Sequence, residues 1–304
     1  MVGFANGQIA ILGATGAQGG AVAHEALSRG WVVRAAGRDR GKLDVLNGAG
    51  MTAIQLLRIE PDQLARLFDG ATSAFVTLAF AAGDRDHDVA EDVCKVSDAM
   101  SAAGVLRVVF TTSWLASERG AETSPTFDAL RRLTDAALAG PVPSVVLKPA
   151  GYLDNFLTDD ARRAVQGGSL PYLLPGGFTY RWVSHRTQAL IALGLLERSR
   201  FAEGEYPIGR LANGDDLARA ASKALRRPVA YASISPEAFA DQWRDALGPA
   251  ADAIARDYSD IVQHARDLGV EIEGDHVARA AGVTDPPLEA FFERHANRFV
   301  PNGS

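Results

Sequence analysis

The sequence predicts an α/β protein: a doubly wound, mostly parallel sheet with helices on both faces, followed by a smaller α+β lobe. Three observations lead there. Over the first half, short runs that are apolar throughout alternate with segments of helical spacing, as strands buried on both faces require. A glycine-rich turn, GATGAQG at 13–19, joins the first apolar run to the first helical one. After residue 149 the alternation gives way to a stretch rich in glycine, proline and aromatics, then to a mostly helical pattern.

The elements follow in order. QIAILGA (8–14) is a buried strand running into a glycine turn, and GAVAHEALSRG (20–30) is a helix with a glycine stop. WVVRAAG (31–37) is the second strand, and DRGKLDVLNGAG (39–50) a short helix and turn. TAIQLL (52–57) is the third strand. PDQLARLFDGA (61–71) is a helix with proline in its first turn, where the missing N–H costs nothing. SAFVTLAF (73–80) is the fourth strand, DVAEDVCKVSDAMSAAG (88–104) a long helix, and VLRVVFTTS (105–113) the fifth strand. SPTFDALRRLTDAALAG (124–140) is a helix, and PSVVLKP (143–149) the sixth strand. Right-handed crossovers wind these into one open sheet. GGSLPYLLPGGFTYRWVSHRT (167–187) reads as short strands and loops that cover a pocket, and TQALIALGLLER (187–198) returns to helix. GEYPIGRLANGDDLARAASKALRR (204–227) gives a strand, a turn and a helix. VAYASIS (229–235) is strand-like, and Ser235 before Pro236 caps a further helix. The expected division is a core over 1–152 and, over 153–304, a lobe that packs on the core without being independent of it.

Composition narrows the function. The chain has 304 residues, 47% hydrophobic and 22% charged, with a formal net charge of −6. That is an ordinary globule not built to attract nucleic acid or an anionic membrane surface. Its single cysteine, Cys94, excludes an intramolecular disulfide framework and a multi-cysteine zinc site. In its helical setting it is expected to be a buried, inert thiol. The first residues have no basic stretch followed by an apolar one, and no apolar run approaches the ~18 residues of a membrane span. The expectation is a cytoplasmic protein acting on a small molecule, without a metal, as a monomer or homodimer.

The turn at 13–19 carries the chemistry. Gly13 permits the tight bend, Gly16 lets the backbone approach a diphosphate, and Gly19 allows close helix–sheet contact. The helix then offers free N–H groups and a partial positive charge to the phosphates, with Thr15 and Gln18 adding polar contacts. The second strand ends at Gly37-Arg38, with Arg40 and Lys42 close behind. A carboxylate at that strand end would favour NAD; a guanidinium and an ammonium there favour the 2′-phosphate of NADPH or NADP+. Asp39 keeps an NAD site open as an alternative.

GATGAQGG, GRDRGKL, TTSWLASE, VVLKPAGYLDNF and WVSHRTQALIAL together resemble the NmrA-like branch of the atypical short-chain dehydrogenase/reductase superfamily. The resemblance implies a Rossmann core and NADP(H). It also implies either a reductase of quinones and related small molecules or a sensor of NADPH with no reaction of its own. Carried over by position, Gly13, Thr15, Gly16, Ala17, Gln18 and Gly19 bind the diphosphate, and Arg38 and Lys42 bind the 2′-phosphate. Leu78, Ala79 and Phe80 flank the adenosine and central phosphates. Thr112 and Ser113 lie near the nicotinamide, and Pro149, Ala150, Gly151 and Tyr152 line its other side; Lys148, at the end of the sixth strand, is a further cofactor-side candidate, expected to be held by strand-end carbonyls or a carboxylate rather than to act as a base. Ligands of a doubly wound sheet also collect at the carboxyl ends of its strands on physical grounds.

Members of that superfamily protonate the substrate with a tyrosine and place a lysine four residues later. Phe127 and Arg131 stand at those places here, or Thr126 at the first if the register shifts by one. Phe127 cannot donate a proton. Arg131 either holds a ribose hydroxyl or is a surface residue paired with Asp128 or Asp135. The candidate catalytic residues are then Ser113, which can polarise a carbonyl, Tyr152 and Arg131. His185 reads first as structural, and Asp154 and Asn155 as helix-entry residues. Trp114, Tyr152, Phe156 and Trp182 are the candidate substrate contacts, with Tyr172, Phe178 and Tyr180 nearby; several of these aromatics must instead be lobe core. The expectation is an NADPH-dependent reductase of a flat or apolar acceptor such as a quinone, enone or imine. The alternatives are a regulator that binds NADP(H) without turnover and a cyclase or isomerase that retains the cofactor.

Overall fold

The computed structural model describes residues 7–78, 88–113, 125–198, 203–248, 251–252, 255–256, 259 and 275–300. The alternating first half forms β1 (Gln8–Leu12), α1 (Ala17–Ser28), β2 (Val32–Gly37), α2 (Arg40–Gly48), β3 (Thr52–Gln55), α3 (Pro61–Phe68), β4 (Ser73–Val76), α4 (Val89–Ala102), β5 (Arg107–Thr111), α5 (Pro125–Ala139) and β6 (Ser144–Pro149). The second half adds β7 (Gly151–Tyr152), a 3-10 turn (Leu153–Leu157), α6 (Asp159–Gln166), β8 (Ser169–Tyr172), β9 (Tyr180–Val183), α7 (His185–Glu197), β10 (Gly204–Ile208), β11 (Arg210–Ala212), α8 (Gly214–Leu225), β12 (Ala230–Ser233) and α9 (Pro236–Leu247). It ends in α10 (Asp275–Ala280) and α11 (Leu288–Arg294).

The main sheet has seven strands in the order β10-β6-β5-β4-β1-β2-β3, and every neighbouring pair in it is parallel. The chain starts in the middle, winds outward to β3, then crosses back beside β1 and winds the other way. This is the doubly wound order expected of alternating strands and helices. Its crossing point lies between β1 and β4, where the glycine turn leaves β1.

Side-chain alternation sorts the strands onto two cores. Ile9, Ile11, Val33, Val109 and Leu147 face α1 and α7, meeting Val22, Ala26, Ile191 and Leu195. Ala10, Leu12, Val76, Val108 and Phe110 face the other way, onto Leu64, Leu67, Val93, Met100 and Leu133. Each such large side chain contributes about 1.5–3 kcal/mol on burial. Helix α7 is buried along most of its length, because it is covered by α1 on one side and α10 on another. The sheet's body therefore draws on both halves of the chain: β10 is its seventh strand and α7 one of its covering helices.

A separate core closes the lobe. Phe156, Tyr172, Tyr180, Trp182, Phe239, Phe292 and Phe299 pack there with Leu217 and Val165. Two small sheets frame it, β11-β9-β7 and β12-β8. One expectation fails in the main body: Cys94 lies on the exposed side of α4. The helix buries Val93 and Val96 instead, so the apolar stripe passes on either side of the thiol.

Candidate functional site

The glycine turn owes its shape to close approaches. Gly13 has φ +85°, a conformation that excludes most side chains, and a Cβ there would run into the carbonyl of Thr77. Its N–H and that of Ala14 both donate to Ala36 O, at 3.0 and 2.8 Å, tying the turn to β2. A Cβ on Gly19 would strike the Gly13 carbonyl, so α1 leaves the sheet as near to it as backbone allows. Gly16 precedes α1 and supplies no side-chain cap. The first helical bond is Gly20 N–H to Gly16 O at 2.8 Å, so the N–H groups of Ala17, Gln18 and Gly19 have no acceptor within the helix. Gly16 and Ala17 are exposed. Free amides at an open helix start, with no side chain in the way, fit a diphosphate.

The end of β2 carries the next candidates. Thr15 lies so close over Gly37 that a Cβ there would overlap its side chain. Asp39 accepts from Lys42 N–H at 3.0 Å and caps α2, so its carboxylate is turned to its own helix. Arg40 pairs with Asp44 at 3.1 Å. Arg38 and Lys42 are both exposed and have no ion-pair partner among the described residues.

The remaining candidates lie along the carboxyl ends of β4, β5 and β6. Leu78 is half-buried on the α3–α4 side. Ala79, Phe80 and Trp114, and the side chains of Thr126 and Phe127, lie outside the described residues. Thr112 N–H donates to Leu147 O at 3.0 Å, and its Oγ1 is buried with no partner among the described residues. Ser113 follows it, half-buried. Pro149 ends β6 and is buried, and Ala150 packs against the lobe core. At Gly151 a Cβ would lie 3.0 Å from the Trp182 ring, so a larger residue would require that indole to give way.

At Tyr152 the elements converge. Its hydroxyl donates to Gln188 Oε1. Gln188 is wholly buried in α7, and its Nε2 donates to Thr111 Oγ1 at 3.2 Å and to Gln18 Oε1 at 3.3 Å. One amide thus links the glycine-turn helix, the end of β5 and the end of β7. The Tyr152 ring also lies against His185, with centroids 4.2 Å apart. His185 Nδ1 is 3.3 Å from Asp154 Oδ1, and its backbone N–H donates to Asp154 Oδ2 at 2.9 Å. Burial would raise the Asp154 pKa. The hydrogen bond from the His185 ring, its charge and its N–H together outweigh burial and hold the carboxyl below its ordinary value.

Four candidates are drawn away from this edge. Arg131 is on the surface of α5, its guanidinium shared between Asp128 at 2.9 Å and Asp135 at 3.2 Å; pairs one helical turn apart satisfy it locally. Lys148 is buried, and its ammonium pairs with Glu205 on β10 at 2.9 Å. Phe156 is wholly buried, stacked with Trp182 at 5.7 Å between centroids. Trp182 is in turn edge-on to Tyr172 at 4.8 Å. Phe156 and Trp182 are therefore lobe core, held by aromatic packing, and present no open face to the cofactor edge. Sequence reasoning passed over Gln188, whose signal was a lone amide inside the apolar run TQALIALGLL, and the His185–Asp154 pair, which only the fold brings together. Among the described residues no group of three or more His, Cys, Asp or Glu could hold a metal, and no helix is long and apolar enough to cross a membrane.

Comparison with known proteins agrees with this geometry. The model of the NmrA-like family matches residues 5–255. The chain belongs to the NmrA-like family. Among solved structures, it is similar to the triphenylmethane reductase of Citrobacter sp. complexed with NADP(H), with a TM-score of 0.70 and 21% identity over 95% of this chain and 100% of that one. It is also similar to an NADPH-dependent quinone oxidoreductase from Escherichia coli, with a TM-score of 0.67 and 20% identity over 96% and 100% of the two chains. A third is NmrA, a negative transcriptional regulator in complex with NAD, with a TM-score of 0.68 and 16% identity over 95% of each. No curated protein sequence matches the chain. Reductases and a regulator thus share this Rossmann-like fold.

Proposed function

We propose that this protein is an NADPH-dependent reductase of a small, flat, largely apolar acceptor. The observation that carries it is the pair Arg38 and Lys42, uncommitted at the end of β2 beside a glycine turn with bare amides. The neighbours crystallised with NADP(H) and the quinone oxidoreductase support the same choice. Ala17, Gln18 and Gly19 would hold the diphosphate through their N–H groups, and Arg38 and Lys42 the 2′-phosphate. Thr112, Ser113 and Pro149–Tyr152 would flank the nicotinamide, which supplies hydride when bound in its reduced form. Gln188 fixes Tyr152 and Gln18 relative to one another, so that the acceptor's side of the cleft is rigid where it meets the glycine turn. Tyr152's hydroxyl proton is committed to Gln188, so its ring, rather than its acidity, would serve the acceptor. Ser113 would hydrogen-bond an acceptor oxygen.

The test is NADPH oxidation at 340 nm with a panel of quinones, enones, imines and triarylmethane cations. Turnover of at least one class is expected, with NADPH preferred to NADH. Tight NADPH binding with no turnover anywhere in the panel would overturn the proposal. It would favour the second reading, a cofactor-sensing regulator, for which the committed Tyr152 hydroxyl and the surface-bound Arg131 also speak.

A further inference from the structure

We infer that His185, oriented by Asp154, is the proton donor that this site uses in place of the superfamily's tyrosine. This rests on the reductase reading above. The residue begins α7, the helix that lies across α1 and buries Gln188 one turn later. Its ring is against Tyr152, which follows the carboxyl end of β6, so it adjoins the edge where an acceptor would meet the nicotinamide. Asp154 grips it twice, through Nδ1 and through the backbone N–H. That fixes the ring's orientation and leaves Nε2, which makes no hydrogen bond to a described residue, as the nitrogen able to reach a ligand. The side chain is 17% exposed: accessible, yet largely sheltered from water. An imidazole is the one side chain whose ordinary titration spans neutral pH, and a nearby carboxylate that stays ionised is the usual orienting partner.

The atoms balance. Hydride adds to the electrophilic carbon of an enone or quinone, and NADPH becomes NADP+. The electron pair of the broken π bond comes to rest on oxygen. That oxygen takes the proton from Nε2 of the imidazolium, an N–H bond breaking as an O–H bond forms, and the neutral ring is reprotonated by water. The groups that face the His185 ring are Tyr152 and Asp154, and Asp154 in turn acts on His295 of the C-terminal segment. Asp154 is thus the only carboxylate in direct contact with the ring among the described residues.

An acceptor that needs no proton separates this role from a structural one. Reduction of a cationic triarylmethane dye such as malachite green consumes hydride alone, whereas menadione or cyclohexenone also consumes a proton. His185→Gln should lose about 10²- to 10⁴-fold in kcat with the neutral acceptor, at least tenfold more than it loses with the cation. A readout without turnover runs beside it: with NADP+ bound, 4-nitrophenolate, a mimic of the developing oxyanion, should shift the His185 imidazole resonance and bind at least tenfold more weakly to His185→Gln. Asp154→Asn, which retains an acceptor for the His185 N–H, should show an intermediate loss. Equal losses on cation and neutral acceptor, or an unaffected neutral-acceptor rate, would overturn the inference. So would a wild-type enzyme that reduces only the cation, although the reductase reading would then stand. NADPH binding without turnover of either acceptor would bring down both.

Discussion

Arg38 carries more of the functional argument than any other side chain, because the two charged residues that follow it are spoken for. Asp39 caps its own helix and Arg40 holds Asp44, so the charge facing outward from the end of β2 is that of Arg38 and Lys42. A guanidinium–phosphate contact is a charge-assisted pair worth about 1.5–3 kcal/mol. Arg38→Ala should therefore weaken NADPH binding by about 10- to 100-fold while changing NADH binding less than threefold. Isothermal titration with both cofactors measures this. Equal weakening of the two would mean that Arg38 supports the turn and does not read the 2′-phosphate. The glycines at 13 and 19 were legible in the sequence because each serves a backbone need that a side chain would block. Arg131 was not: its own helix offered Asp128 three residues before and Asp135 four residues after as readily as a ribose, and the short-range pairs won.

At the scale of elements, β10 shows what local pattern cannot supply. GEYPI reads as a strand, but nothing within it says that it joins the sheet made by the first half. It takes the edge beside β6, where Pro207, which lacks an N–H to donate, is tolerated. A buried lysine and a half-exposed acid make the pairing specific: Lys148 on β6 and Glu205 on β10, 2.9 Å apart, the lysine 2% and the glutamate 46% exposed. Removing the acid strands a buried ammonium. Glu205→Gln should cost about 1–3 kcal/mol, less than for a fully buried pair because the glutamate is half in water. Lys148→Met, similar in volume and apolar, should stay within about 1 kcal/mol of the wild type. Urea denaturation of both variants decides it, and a Lys148→Met protein as unstable as Glu205→Gln would show that the ion pair itself is stabilising. The first six strands were legible because apolar runs and glycine or proline stops repeat in register with them. The aromatics after residue 149 were not, since lobe core and pocket wall demand the same residue types. Phe156 and Trp182 belong to the core.

Across the whole molecule, the last stretch of the described chain ties the lobe shut and closes against the body. Ala281, just after α10, meets Gly194 on α7 so closely that no Cβ would fit there. Phe291, Phe292 and Phe299 enter the lobe core. Arg227 Nη2 donates to Val165 O at 2.6 Å and Phe299 O at 3.2 Å, and Gln166 Nε2 to Val300 O at 3.0 Å, so the final residues are bound to α6 and to the segment after α8. His295 belongs to this closure, its ring 4.8 Å from that of Phe291. Burial holds its pKa below that of an ordinary imidazole, and Arg298 and Arg294 push the same way against the opposing pull of Asp154. The unfolded chain therefore binds a proton at His295 before the folded one does. Between the ordinary value near ~6.5 and the lower folded value, unfolding takes up a proton, and stability drains away as pH falls through that window. Above it the neutral ring is common to both states and the full contribution is present. The melting temperature should accordingly drop on acidification from pH 7 toward pH 5.5, and drop less in His295→Gln, whose side chain has no proton to gain. Parallel pH profiles for the two proteins would remove His295 from the cause. A steeper profile in the wild type alone would place the acid-sensitive point of the fold at the segment that packs behind Asp154, the carboxylate on which the orientation of His185 depends.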